Sequence, residues 1–172
     1  MAVIGGDTAR RVRCNRAGMR ALLPVALRAG AAWTVGDADA PVRGAMIATP
    51  PRRYPLPPPS LGVELRTLWV QGPRVRGRWA RVFDHLHALH PPSPHWYLST
   101  LGVAPEARRR GLGRALVARL ADRADAAGVP CYLETDRPEN LAFYEPAGFR
   151  VERESEILGV RVWHLTRPAV TP

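Results

Sequence analysis

Between Trp96 and Thr135 the chain reads as a strand, a loop of arginines and glycines, a helix and a second strand. That order constrains the fold more than any other feature, because a strand–helix–strand unit almost always makes two parallel strands joined by a right-handed crossover. Trp96–Val103 and Cys131–Thr135 have strand composition, and Leu112–Ala127 carries apolar residues at helical spacing until Gly128 and Pro130 stop it. The intervening loop sets Arg108, Arg109 and Arg110 ahead of Gly111, Leu112, Gly113 and Arg114, where the helix opens. A helix start has unpaired backbone N–H groups and a partial positive charge, so it suits a pyrophosphate. Glycines without a Cβ let phosphate oxygens approach, and the arginines add charge at the rim. A P-loop is excluded because the chain has no lysine, and a dinucleotide fingerprint fails because Leu116 stands where Gly or Ala is required. Taken alone, the loop is equally a short cap on a helix.

The first half is less marked. Asp7 to Gly30 reads as a helix, capped by Asp7 or Thr8, broken into two pieces by Pro24 and stopped at Gly30. Ala32–Val35 and Val42–Thr49 read as a hairpin turning through Gly36, Asp37 and Asp39, and proline-rich Pro50–Ser60 reads as a loop. Val75, Trp79, Val82, Phe83, Leu86 and Leu89 predict a helix from about Arg74 to His90, ended by Pro91 and Pro92. A short helix near Leu141–Ala147, a strand from Phe149 and a last strand Val160–Thr166 turned at Gly159 complete the chain.

At 172 residues the chain is the size of one domain. No stretch offers the roughly 20 apolar residues of a membrane span, and the arginine-rich start does not read as a secretory signal. Cys14 and Cys131 match no metal or redox spacing, which predicts buried thiols and a cytoplasmic setting. A net charge of +10 raises nucleic acid as a partner. All the basic residues are arginine, though, and they are scattered, which argues against that partner. His85, His87, His90 and His95 lack the accompanying acidic or cysteine ligands of a metal site and read as solvated or capping residues, with His95 a candidate to border a substrate pocket. Trp33, Trp69, Trp79 and Trp163 read as core or pocket lining.

After the second strand comes Tyr132-Leu-Glu134-Thr-Asp-Arg-Pro-Glu-Asn140-Leu-Ala-Phe-Tyr144-Glu-Pro-Ala-Gly148-Phe149. Together with the RxxGxG run at Arg108–Gly113 and Leu101-Gly102-Val103, this resembles the GNAT superfamily of N-acetyltransferases. His95 through Arg167 resembles most the puromycin N-acetyltransferase branch. The resemblance implies an α/β (α+β) domain spanning 1–172. Its mixed, mostly antiparallel sheet would hold a splayed parallel pair and flanking helices, with an acceptor-side half at about 1–94 and an acetyl-CoA half at about 95–167. Leu101, Gly102 and Val103 would meet the pantetheine arm, and residues Arg108, Arg109, Arg110, Gly111, Leu112, Gly113 and Arg114 the pyrophosphate. Asn140 would contact the arm, and Tyr144 would lie beside the sulfur. It also implies a first strand and helix that Met1–Gly6 is too short to supply. The strand Ala32–Val35 would then have an open edge, and either a partner, such as a second copy in a homodimer, covers it or Met1 is not the natural start.

The chemistry of amine acetylation needs a group that takes a proton from the amine and one that gives a proton to the departing thiolate. Tyr144 suits the second role, being protonated at neutral pH, and its alternative is a core aromatic beside Phe143 and Phe149. Glu134 is open to two readings: a base acting directly or through water, or a strand-end carboxylate paired with an arginine. The acceptor is a small-molecule or peptide amine. No metal and no membrane enter the expectation. The competing readings are a catalytically inactive CoA-binding relative and an arginine-rich nucleic-acid binder.

Overall fold

The computed structural model describes residues 3–29, 32–36 and 41–170. The elements run α1 (Thr8–Arg28), β1 (Ala32–Val35), β2 (Gly44–Thr49), α2 (Leu61–Gln71), α3 (Pro73–Leu89), β3 (Trp96–Val103), α4 (Leu112–Ala126), β4 (Cys131–Thr135), α5 (Leu141–Tyr144), β5 (Arg150–Ile157) and β6 (Val160–Arg167). Among the described residues the strands form one sheet in the order β1-β2-β3-β4-β6-β5. Every neighbouring pair is antiparallel except β3 and β4, which are parallel. This is the mixed, mostly antiparallel sheet with one parallel pair that the sequence leads one to expect.

Alternation along β3 and β4 sends side chains to two faces. On one face Leu98, Cys131, Leu133 and Leu165 pack against Leu116, Val117, Leu120 and Ala124 of α4, closed by Phe149 and Tyr144. Burial pushes the Cys131 thiol up to about 12, as for an inert core side chain. The opposite face takes α1 through Ala26 on Ile47, while α1 is itself tied to α2 by Gln71 Nε2 donating to the Cys14 carbonyl at 3.1 Å. Asp125 on α4 accepts both ends of the Arg167 guanidinium at 2.7 Å, fastening the end of β6 to the crossover helix.

Two local expectations need correction. Pro24 does not break α1, which is continuous from Thr8 to Arg28. Pro24 and Arg20 are both exposed, so the carbonyl that loses its helical partner faces water, while Ala21, Val25 and Ala26 around them are buried. A further helix, α2, occupies residues the sequence left unassigned. Its buried residues are the polar Thr67 and Gln71, whereas Leu61, Leu65 and Trp69 are exposed, so its apolar pattern points away from the packed face. Gly30, Asp37 and Asp39, expected at a helix stop and a turn, lie outside the described residues. β1 stands at the sheet edge, and no described strand pairs with its outer side.

Phe149 is 1% exposed and is the largest of the fully buried side chains. Phe149→Ala is therefore expected to lower stability by about 3–5 kcal/mol, read from the midpoint of urea unfolding.

Candidate active site

The parallel pairing of β3 with β4 covers only three residues: Trp96 with Cys131, Tyr97 with Tyr132, and Leu98 with Leu133. Beyond Leu98, β3 follows β2 with a shifted register, Ala48 opposite Leu98 but Ile47 opposite Thr100, so Ser99 is a bulged extra residue. β4 instead continues along β6, with Glu134 opposite His164 and Thr135 opposite Trp163. The two strands part at this point. Ala104 N–H donates to the Arg43 carbonyl at 2.8 Å. By the alternation of an antiparallel ladder, the peptide groups of Leu101 and Val103 then point away from β2, toward the side that β4 has left.

The parting opens into a cavity of about 590 Å³ whose walls include Leu101, Gly102, Val103, Arg108, Arg109, Gly111, Leu112, Gly113, Arg114, Asn140, Phe143 and Tyr144. Arg109 and Gly111 both take positive φ, 59° and 81°, and turn the loop so that α4 begins facing the cavity. Gly111 is the N-cap of α4 and no side chain caps that end. The first intrahelical bond there is Ala115 N–H to the Gly111 carbonyl at 2.9 Å, which leaves the amides of Leu112, Gly113 and Arg114 without helical partners. The two glycines have different physical reasons. A Cβ at Gly111 would meet no protein atom within 4 Å, so the left-handed backbone selects glycine there. A Cβ at Gly113 would stand 3.3 Å from Phe143 Cζ, so close packing against α5 selects it.

Arg110 is exposed and is the one member of the arginine run that does not line the cavity. Arg108 Nε donates to the Val103 carbonyl at 3.3 Å. Asn140 is held by Nδ2 donating to Thr135 Oγ1 at 2.8 Å, which ties the turn after β4 to the strand end. Tyr144 is 8% exposed, with its ring edge-on to Phe143 and Phe149. Burial pushes its phenol up to about 12, so it carries its proton at neutral pH. The core-aromatic and cavity-wall readings of Tyr144 thus hold together.

Glu134 does not line this cavity. It follows Leu133, so its side chain lies on the opposite face of the sheet, only 7% exposed, with Oε1 lacking any hydrogen-bond partner among the described residues. Among the described residues no arginine pairs with it. Its ion-pair neighbour is His90, Nδ1 to Oε1 at 3.9 Å. His90 does cap the end of α3, its N–H donating to the His87 carbonyl, but it is not solvated: its side chain is 5% exposed and Tyr54 stacks on it at 3.6 Å. His95 is buried as well. Sequence reasoning missed this cluster because its members come from the proline-rich loop, the end of α3 and two strands. Among the described residues no group of His, Cys, Asp or Glu is arranged to hold a metal ion, and no helix is long and apolar enough to cross a membrane.

Residues 67–149, from α2 to the entry of β5, match the model of the Acetyltransferase (GNAT) family. The architecture is similar to the histone acetyltransferase HPA2 and related acetyltransferase of Corynebacterium glutamicum, with a TM-score of 0.64 and 19% identity over 99% of this chain and 81% of that chain. The chain has the GNAT fold. Arylalkylamine N-acetyltransferase 2 of Aedes aegypti has the same GNAT architecture at a TM-score of 0.64 and 10% identity, covering 88% of this chain and 78% of that one. Chaetomium thermophilum Naa20, in complex with a bisubstrate analogue, is similar at a TM-score of 0.57 and 19% identity, covering 95% of this chain and 82% of that one.

The left-handed backbone at Gly111 gives a direct test of the loop geometry. Gly111→Val is expected to lower stability by about 1–2 kcal/mol, whereas Gly113→Ala needs only a small shift of Phe143 and changes stability by less; denaturant titration of both variants compares them.

Proposed function

We propose that this chain transfers an acetyl group from acetyl-CoA to a primary amine of a small molecule or peptide, by direct attack in a ternary complex. The observation that carries the reading is the parting of β3 from β4 into a cavity walled both by unpaired helix-start amides and by a protonated phenol. GNAT enzymes use acetyl-CoA. The residues present fit such a molecule. The free amides of Leu112, Gly113 and Arg114, the turned loop at Arg109 and Gly111, and the guanidinium groups of Arg108 and Arg109 suit a pyrophosphate. Arg110 belongs to the rim by charge alone. The outward peptide groups of Leu101 and Val103 would hydrogen-bond the pantetheine amides as a neighbouring strand does, with Gly102 keeping that path clear and Asn140 contacting the arm.

Acetyl-CoA supplies an acyl group on a good leaving group. The chain's own residues then manage two protons. As the N–C bond forms and the C–S bond breaks, the amine nitrogen gives one proton to Glu134, directly or through water, and the Tyr144 phenol gives one to the sulfur. The motif likeness of residues 95–167 to the puromycin N-acetyltransferase branch supports a small-molecule acceptor. The buried, unpaired thiols Cys14 and Cys131 agree with a cytoplasmic setting. The open edge of β1 supports self-association as a homodimer.

Tyr144→Phe keeps the ring packing and removes the proton donor. It is expected to lower kcat by about 10²-fold, within the range for general acid catalysis, while CoA affinity by calorimetry stays unchanged. Thiol release from acetyl-CoA across an amine panel reads both the activity and its loss, and wild-type turnover in the variant would remove Tyr144 from the chemistry.

A further inference from the structure

A second cavity, of about 480 Å³, lies between the end of α1 and the loop that follows β2, and it shares no wall residue with the opening between β3 and β4. Its apolar walls include Val25 and Ala29 from α1 and Tyr54 and Leu56 from the loop. Leu56 packs on the buried pair Ala26 and Ile47, which anchors the loop to the sheet. Pro50, Pro51, Pro55, Pro57, Pro58 and Pro59 fix φ along it. A loop stiffened in this way loses little conformational freedom when a ligand enters.

The charged groups of this cavity are Arg28, Arg52 and Arg53, all exposed. No Asp or Glu lines it, and among the described residues none of the three guanidinium groups has a hydrogen bond or ion pair. Burial first, and then the Glu134 charge, raise the pKa of Tyr54, so its phenol stays neutral and adds no negative charge to the wall. Arg28 alone has an ordinary explanation, since a cation in the last turn of α1 offsets the helix dipole. Arg52 does not. Arg53 N–H donates to the Pro50 carbonyl at 3.1 Å, closing a turn with Pro51 and Arg52 at its two central positions, and Arg52 takes a φ of 63°. Proline followed by a positive φ is the pattern of a type II turn, whose second central position favours glycine. A long side chain kept at a strained position points to a use for that side chain.

We infer that Arg28, Arg52 and Arg53 form, with these apolar walls, a binding site for a small anionic molecule, one that carries a phosphate or carboxylate on an apolar body. The guanidinium forks take the anion in paired N–H···O bonds, while Tyr54 and Leu56 cover the body. Tyr54 is also where this cavity reaches the cluster around Glu134: its ring stacks on His90 at 3.6 Å, and His90 Nδ1 is 3.9 Å from Glu134 Oε1. The anion belongs either to the tail of the amine that is acetylated or to a separate ligand, and both present the same chemistry to the arginines. Only the first source rests on the acetyltransferase reading above.

Calorimetric titration with phenyl phosphate tests the site, in protein saturated with CoA so that the loop at Arg108–Arg114 is filled. Binding is expected at one site, tighter than for inorganic phosphate or benzyl alcohol alone, and weaker as salt rises. Arg52→Gln and Arg53→Gln, both at exposed side chains, are each expected to weaken it about tenfold, as for one lost charge-assisted hydrogen bond. Arg119→Gln, which removes the same charge from the exposed side of α4, leaves it unchanged. Arg52→Gly weakens it as well while raising the midpoint of urea unfolding, because glycine fits the turn. Undiminished affinity in the Arg52 and Arg53 variants, or an equal loss in Arg119→Gln, overturns the site. The source is read from kcat/KM for phosphoethanolamine against ethanolamine. A preference for the phosphate that Arg53→Gln abolishes places the anion on the acceptor, and equal rates with phenyl phosphate still bound place it on a separate ligand; the site stands in both. If no amine is acetylated, the acetyltransferase reading fails by itself, and titration of the arginine variants still decides the site.

Discussion

Three backbone pairings, from Trp96–Cys131 to Leu98–Leu133, hold the parallel strands together, and the site depends on their stopping there. Had the pairing run on past Thr135 in the same register, the peptide groups of Leu101 and Val103 would be spent inside the sheet. The bulge at Ser99 turns β3 to follow β2, while β4 is kept on course by β6. Each strand therefore remains paired on its other side. The sheet stays anchored while it opens, which is how unpaired backbone can be kept ready at low cost.

The same parting divides labour between the two faces of β4. Leu133 and Thr135 are buried on the side of α4, α5 and the cavity. Glu134, between them, projects into a cluster built from the proline-rich loop, the end of α3 and the strands β3 and β4. One strand thus presents a carboxylate to one face and supports, through Thr135 and Asn140, the wall of the cavity on the other. A buried carboxylate with one oxygen unpartnered among the described residues is expensive. On the proposed reading that cost has a use, since Glu134 would take a proton on one side of the opening and Tyr144 would give one on the other.

What the sequence revealed follows from how local the information is. Trp96–Val103 and Cys131–Thr135 appear as strands with the bounds the sequence indicated, and α4 differs by a single residue at its end, because glycine, proline and a strong apolar period bracket each of them. The loop from Arg108 to Arg114 was readable as a helix start, although the reason for Gly113 was not, since it lies in Phe143 across the fold. α2 escaped because its buried residues are polar. Pro24 misled because a helix tolerates proline where the freed carbonyl meets water. The histidines looked solvated because a neighbour in sequence says nothing about Tyr54 stacking on His90 or Glu134 facing it. Buried polar clusters are tertiary objects, and their members carry no period.

The central claim is that the opening between β3 and β4 receives CoA by strand-like hydrogen bonds and helix-start amides. Residue-resolved amide hydrogen exchange, with and without CoA, tests it most directly. The account predicts that exchange slows at Leu101 or Val103 and at Leu112, Gly113 and Arg114, while the amides of β1 and β5 at the sheet edges are unaffected. Protection confined to other parts of the chain, or unchanged exchange at these amides under saturating CoA, would contradict it.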